Sequence, residues 1–231
     1  MFKLMLFFKV SYKTIYSLGL RLISIASSFL MSFLVARLFN IETSGVVFFF
    51  LSLVSIIVVL SAKGFDVAIS KITAENSDLS ISFGYLGYVF FRIIPFCTLL
   101  TLLLYISPIL IECYFDFKLY NMLWGTDFRS SFLLILFIFV SNLMLHIMSF
   151  YFQGLSMLTM TVLCQRTLFN IFLCCLFSVG LVTYNEPLSF SLALNFIGLS
   201  SFICLSIVAL YFIVKLGFLY KPVDRKKDSI L

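Results

Sequence analysis

The stretch VVFFFLSLVSIIVVLSA, residues 46–62, decides the class of fold. It carries no charged side chain, and its length approaches the roughly 20 apolar residues that cross the hydrocarbon of a bilayer as a helix. The whole chain shares this character, with 62% hydrophobic and 11% charged residues. Soluble domains have roughly 45–50% and 25%. The sequence therefore predicts an integral membrane protein.

Five other stretches have the same character. The predicted spans cover about 16–36, 46–62, 84–106, 131–152, 164–184 and 190–214. The longest polar segments between and after them, 63–82, 107–130 and 215–231, are each too short to bury a core of their own. We expect an all-α membrane protein with a six-helix transmembrane bundle at 1–214. Residues 215–231 are predicted to be a basic cytoplasmic tail or the start of a linker.

The positions of lysine and arginine predict the orientation of the chain, because these residues favour the cytoplasmic side. With the N-terminus inside, the cytoplasmic segments hold Lys3, Lys9, Lys13, Lys63, Lys71, Lys215, Lys221, Arg225, Lys226 and Lys227. The opposite side receives only Arg37, Lys118 and Arg129. An even number of spans then places both termini in the cytoplasm. The net charge of +6 is read as this orientation signal plus attraction to anionic lipids, and no nucleic-acid partner is expected.

The charges inside the predicted spans are cationic. Arg21, Arg92, Arg166 and the titratable His146 lie within them, whereas all ten carboxylates fall in loops or flanks. An ionised side chain at mid-bilayer costs at least ~2.5–3.5 kcal/mol, so its presence there indicates a function. Without a carboxylate nearby in sequence, these groups indicate a site that receives an anion.

A polar face runs along the first predicted span. Ser17, Arg21, Ser24, Ser28 and Ser32 follow spacings of three and four, which keep them on one side of a helix. Lipid offers no hydrogen bonds to such a face, so it must contact protein or water. Close packing of helices through small residues is the alternative to a cavity, but a guanidinium group fits a tight interface poorly.

The fourth span has a similar face, formed by Asn142, His146, Ser149 and Gln153. A single histidine is more often a structural residue than a proton carrier, but its place in a polar stripe favours a cavity. Arg166, at the start of the fifth span, either lines that cavity or snorkels to the boundary. Arg92 lies about 12 Å along the third span, where it either lines the cavity or belongs to a kink before Pro95.

The loop after the second span has a helical period of its own. Its apolar positions, opposite Asp66, Lys71 and Glu75, are Phe65, Ala68, Ile69 and Ile72. This pattern predicts a short amphipathic helix that lies at the cytoplasmic interface and braces the bundle against the headgroups.

Motifs for catalysis are absent from the sequence, which has no P-loop, HExxH, GxSxG or acidic cluster for Mg²⁺. A single histidine excludes a metal site built from histidines, and the six cysteines show no metal-ligand spacing. We therefore expect no enzyme activity, no metal and no cofactor. The lack of a carboxylate within the spans also disfavours a drug antiporter, whereas a lipid-linked phosphate or pyrophosphate suits a cationic cavity.

Three short segments resemble a known family of membrane transporters. VARLFNIETSG at 35–45 resembles the family's ARxLGxxxxG turn, GFDVAI at 64–69 its GxxxAI segment, and FQG at 152–154 the xQG that ends its fourth helix. In this order the chain resembles the N-terminal lobe of a polysaccharide or O-antigen flippase of the MOP exporter superfamily. Asn40 and Ser44 depart from the usual residues of the turn, so those positions give no guide to function.

The resemblance implies a transporter that moves undecaprenyl-pyrophosphate-linked oligosaccharide, an O-antigen or capsule repeat unit, across the bacterial inner membrane. It implies that cavity arginines hold the anionic head, with Arg21 at the expected place and Arg92 and Arg166 as further candidates. Family members have two lobes of about six helices around one site, as alternating access requires. We therefore expect a fragment or shortened product, with assembly of two copies as the alternative.

Two other functions compete with transport. A non-transporting scaffold or inert half-lobe would use the same polar faces only to pack helices. A polyprenyl-phosphate transferase would need catalytic carboxylates that the spans lack. The expected partners are the lipid-linked oligosaccharide, membrane lipids and a second lobe or copy.

Overall fold

A computed structural model of the chain describes residues 2–75, 79–115, 131–183 and 188–217, and its side chains over slightly shorter ranges. Within these ranges the chain is helical apart from short connections. The helices are α1 Phe2–Leu38, α2 Ile41–Ala62, α3 Phe65–Glu75, α4 Leu79–Phe115, α5 Phe132–Gly154, α6 Leu158–Thr183 and α7 Phe190–Gly217.

Within the described residues, six helices are long and apolar enough to cross a membrane, which confirms the predicted all-α six-span bundle. Their apolar segments are Ile15–Leu38, Ile41–Ala62, Ile81–Ser107, Phe132–Gly154, Leu158–Thr183 and Phe190–Val214. The fifth begins at Leu158, six positions before the predicted start at 164, because polar Thr159 and Thr161 obscure the first turns in sequence. Helix α7 extends into the predicted tail at 215–231 as far as Gly217, and the rest of that tail lies outside the described residues.

Helix α5 forms the centre of the bundle and packs against α2, α3, α4 and α7. Half of its apolar segment is buried inside the protein, against 11% for α1. Aromatic edges join the layers, with the ring centroids of Phe50 and Phe139 5.9 Å apart and those of Phe39 and Phe177 5.7 Å apart. Consequently most polar residues of α5 face other helices, whereas much of α1 remains free on its outer side.

The break between α2 and α3 is a left-handed turn at Lys63 and Gly64, whose φ angles are 48° and 82°. Glycine adopts positive φ without cost, whereas lysine does so less readily. The chain does not reverse its direction at this turn. Near its start α3 places Asp66 beside His146 of α5, and farther along it places Ser70 and Thr73 beside Gly154. Helix α3 therefore runs parallel to the last two turns of α5.

The amphipathic helix predicted from residues 65–72 is thus confirmed as a helix, but its apolar stripe faces protein. Ile69 is fully buried, and Phe65, Ala68 and Ile72 are half-buried. The stripe packs on α5 and α4, whereas the sequence predicts a helix that lies at the interface and braces the bundle against the headgroups. Sequence periodicity identifies an apolar face but does not say whether lipid or protein covers it.

Helix α6 contains one wide turn of π-helix at Leu163–Thr167. In this turn the hydroxyl of Thr167 donates to the carbonyl oxygen of Val162 at 2.8 Å, five residues back. Such single-turn bulges are rare in proteins overall, but those that occur are often found at functional sites. The turn carries Gln165 and Arg166, so it sets the direction in which these two side chains project.

Candidate functional site

A partly open cavity of about 630 Å³ lies between α1, α2, α5 and α6. It brings together most of the polar residues that the sequence predicts for one site. From that set its lining includes Arg21, Ser24, Ser28, Ser32, Asn142, His146 and Arg166. The polar faces of the first and fourth spans therefore meet across a shared space, with the beginning of α6 as a third wall.

The two arginines of the cavity and His146 gather toward one end of the bundle. Arg21 lies near the start of the first apolar segment, Arg166 near the start of the fifth, and His146 two turns before the end of α5. Since α1 and α6 run in one direction along the bundle and α5 runs in the other, these positions fall at similar depths. The opposite part of the cavity has hydroxyl groups such as that of Ser32, along with apolar side chains.

The two arginines of the cavity have no carboxylate partner among the described residues. One Nη of Arg166 donates to the Oγ of Ser55 on α2 at 3.0 Å, and both guanidinium groups are exposed. A hydroxyl group orients a guanidinium but does not neutralise it. The positive charge of this end of the cavity is therefore available to an anion.

His146 does have a carboxylate neighbour, contrary to the sequence-based expectation that none accompanies the titratable groups of the spans. The Oδ2 of Asp66 lies 3.4 Å from the Nε2 of His146, although this nitrogen is buried and its geometry does not satisfy a hydrogen bond. Asp66 belongs to α3, a helix that the sequence assigns to the headgroup region. The path of α3 beside α5 makes this contact, which separation along the chain conceals.

Asn142 joins α5 to α7 as well as lining the cavity. Its amide nitrogen donates to the carbonyl oxygen of Ile138 at 2.8 Å and to the Oγ of Ser201 at 3.2 Å. This anchoring fixes the amide group in the cavity wall.

Three of the predicted site residues lie outside the cavity. Arg92 lines a separate pocket with Lys63 and Tyr88, so the structure does not place it in the cavity that Arg21 lines. Ser149 is fully buried, and its hydroxyl donates to the carbonyl oxygen of His146 at 2.7 Å. Gln153 is exposed beyond the end of the cavity. The spacing rule places these last two on the correct helix face but does not give the depth at which the cavity ends.

The cavity also has polar lining residues that the predicted set lacks. They are Ser52, Ser55, Gln165 and Asn170. Ser52 and Ser55 stand three apart in the second span, and Asn170 stands four residues after Arg166. Both spacings are visible in sequence, whereas the wide turn that directs Gln165 into the cavity has no sequence signature.

The comparisons with known proteins find no matching family model, no similar curated protein and no similar solved structure. Among the described residues, no group of three or more histidine, cysteine, aspartate or glutamate side chains has the arrangement of a metal site.

Proposed function

We propose that this chain is a subunit or N-terminal portion of a flippase that moves an undecaprenyl-pyrophosphate-linked oligosaccharide across the bacterial inner membrane. The observation that carries the proposal is the cavity in which Arg21 and Arg166 meet without a carboxylate partner among the described residues. Two uncompensated guanidinium groups within an apolar bundle are costly unless an anion or water occupies the space. Undecaprenyl pyrophosphate is a membrane anion with two phosphates and an apolar tail. Its phosphates suit the arginines of this site, and its tail suits the apolar surroundings.

The chemistry of the wall supports a pyrophosphate head. Arginine binds phosphate oxygens through planar, paired donors, and Ser24 and Ser28 add hydroxyl groups on the same face of α1. The hydroxyls of these two serines make no hydrogen bond within the described part of the chain, so they are free to donate to a ligand.

The size of the cavity limits what it holds. About 630 Å³ falls within the roughly 300–1,000 Å³ that is usual for small-ligand pockets. This volume suits a pyrophosphate and its immediate neighbours, so the remaining sugars extend beyond the cavity. We propose that a second lobe or a second copy of the chain closes the open side, since alternating access uses two repeats around one site.

The local resemblance of residues 35–45, 64–69 and 152–154 to exporter motifs supports the same assignment. With it we propose a location in the bacterial inner membrane with both termini in the cytoplasm, which follows from the positions of lysine and arginine. The cationic end of the cavity then faces the cytoplasm, the side on which lipid-linked sugars are assembled in that family.

A scaffold without transport activity is the competing function, and one observation favours it. Several hydroxyls of the cavity region bond to carbonyl oxygens of their own helix, as Ser32 does to Ser28 at 3.1 Å and Ser52 to Phe48 at 2.9 Å. These groups need no ligand. The two arginines differ from these hydroxyls because no carboxylate among the described residues neutralises their charge. Transport is therefore the preferred proposal.

The proposal is tested with Arg21→Ala in a strain whose surface polysaccharide depends on this chain. We expect loss of surface polysaccharide at an unchanged membrane level of the protein, because the anionic head loses a charged contact worth roughly 1.5–3 kcal/mol. Arg21→Lys, which keeps the charge but not the paired donors, should retain part of the activity.

The control is Lys71→Ala, which removes an exposed cation of α3 that lies outside the exporter-like segments and does not line the cavity. This variant should make polysaccharide at the level of the unchanged protein. Normal polysaccharide from Arg21→Ala would refute the role of the cavity.

A further inference from the structure

A second pocket of about 280 Å³ lies at the break between α2 and α3, where both helices meet α4. Two cationic side chains line it, Lys63 from the break itself and Arg92 from α4, and Tyr88 adds a phenol group. The lining of the larger cavity includes none of these residues. The pocket is therefore a separate site that the proposed transport function does not use.

The backbone at the break directs Lys63 toward α4. Its left-handed conformation, with φ of 48°, ends α2 and turns the side chain across the pocket. There the ammonium nitrogen lies 3.0 Å from the centroid of the Phe96 ring. A ring face attracts a cation, and the carbonyl end of α2 adds a favourable dipole. Both interactions hold the cation in place without neutralising it.

Arg92 is held in a similar way by an uncharged partner. Its Nε donates to the hydroxyl oxygen of Tyr88 at 3.3 Å, and the guanidinium carbon lies 5.8 Å from the centroid of the same ring. The terminal Nη groups make no hydrogen bond to any residue that the structure describes. Arg92 therefore presents its outer donors to the pocket.

No carboxylate lines this pocket in the described part of the chain. The nearest acidic side chain in sequence is Asp66, whose Oδ2 is directed to His146. Glu75, at the far end of α3, lies 3.9 Å from the ammonium group of Lys71. Two cations thus share a small pocket with only neutral partners, which is an arrangement that attracts an anion.

The surroundings of the pocket indicate an anion attached to apolar chains. Phe91 next to Arg92 is 80% exposed, and Leu60 near the end of α2 is 57% exposed. In a chain with six apolar spans, such side chains face lipid. We propose that this pocket binds the phosphate of an anionic phospholipid, with Lys63 and Arg92 on the phosphate oxygens and the acyl chains along the exposed apolar side chains.

The lipid would act as a clamp on the break between α2 and α3. Its phosphate joins the end of α2 to α4, and α3 follows directly after Lys63. This inference does not depend on the transport proposal, because it concerns neither Arg21 nor Arg166.

Native mass spectrometry of the purified full chain in detergent tests the inference. The probes are dioleoyl phosphatidylglycerol, dioleoylglycerol without phosphate, and inorganic phosphate. We expect the first to bind to the unchanged protein and the other two to bind at least tenfold more weakly. In the double variant Lys63→Gln/Arg92→Gln, binding of phosphatidylglycerol should also fall at least tenfold, as the loss of charge-assisted contacts predicts.

Two further variants make the result decisive. Arg37→Gln/Lys71→Gln removes the same net charge from positions that line neither pocket and should keep its affinity for phosphatidylglycerol within about twofold, since neither side chain faces the phosphate site. Lys63→Arg/Arg92→Lys keeps both charges and should bind within about threefold of the unchanged protein, which would assign the loss in the glutamine variant to the missing charges and not to the change of side chains as such.

Three outcomes would overturn the inference. Equal loss of binding in the two glutamine double variants would show general attraction to a basic surface. Equal binding of dioleoylglycerol would show that the phosphate is not recognised, and binding of inorganic phosphate as tight as that of the lipid would show a site for the free ion.

Discussion

Gly154 lies where α5 approaches α3 closely. A Cβ atom placed on it would lie 2.6 Å from the carbonyl oxygen of Ser70 and 2.7 Å from the Cβ of Thr73. Neither neighbour is a flexible side-chain end, so relief requires that a helix moves. The glycine that the sequence identifies through the xQG resemblance has a packing role here, which is independent of any function in transport.

We expect Gly154→Ala to lower the free energy of unfolding of the purified protein by about 1–3 kcal/mol, the usual cost of overpacking, and therefore to lower its melting temperature. Circular dichroism in detergent would measure the change in melting temperature. The control is Gly19→Ala in α1, where no atom lies within 4 Å of the new Cβ. That change should be neutral or stabilise by up to about 1 kcal/mol. Equal melting temperatures for the two variants would contradict the close approach of α3 and α5.

Asp66 and Arg92 illustrate how single residues acquire a role from the fold. Asp66 belongs in sequence to a loop helix, and the structure places its carboxylate at 3.4 Å from His146 of α5. Arg92 belongs in sequence to the set of cations within the spans, and the structure places it beside Lys63 and Tyr88. Both placements depend on how the helices pack, so the residue type alone does not reveal which site Asp66 or Arg92 belongs to.

Among the helices, α6 shows most clearly how an irregular element builds a site. Its π-turn at Leu163–Thr167 adds one residue to a helical turn, which changes the angular position of the residues within it. Arg166 thereby reaches Ser55 of α2. In a regular helix each residue advances by about 100°, so removal of one residue would redirect this arginine.

We expect deletion of Leu163 to convert the wide turn into a regular α-helical turn and to separate Arg166 from Ser55. Surface polysaccharide should fall severalfold while the membrane level of the protein is kept, as measured by immunoblot of the membrane fraction. Leu163→Ala, which retains the residue count, is the control and should keep activity. If the deletion variant is fully active, the π-turn does not position the arginine for function.

The molecule as a whole has one well-packed side and one open side. Helix α5 is buried among its neighbours, whereas α1 is the least buried of the six spans, and the cavity opens beside it. On α1, Ser27 faces the protein interior and Ser28 is exposed. Because the two serines differ in exposure, the reactivity of cysteine substitutions along α1 can distinguish a water-filled cavity from a packed interface.

Ser24→Cys and Ser28→Cys should react with a water-soluble thiol reagent in intact membranes if the cavity contains water. Ser27→Cys should react at least tenfold more slowly, because its side chain is buried and the thiol of Cys174 lies 3.2 Å from its carbonyl oxygen. The background replaces exposed Cys175, and Cys113 whose side chain lies outside the described residues, by serine. The other cysteines are buried. Unreactive cysteines at 24 and 28 would instead favour the scaffold.

The sequence by itself determines the class of fold, the number of spans and the helix faces that carry polar groups. These properties depend on the local density and period of apolar residues, which is why the polar faces of Arg21 to Ser32 and of Asn142 with His146 can be identified in the chain. The tertiary structure alone decides how far the cavity extends, and it joins Arg166 to a serine 111 positions away. It also pairs Asp66 with His146 and assigns Arg92 to a pocket with Lys63. The physical reason is that helix packing and irregular backbone turns arise from contacts between distant segments, which leave no periodic pattern in the chain.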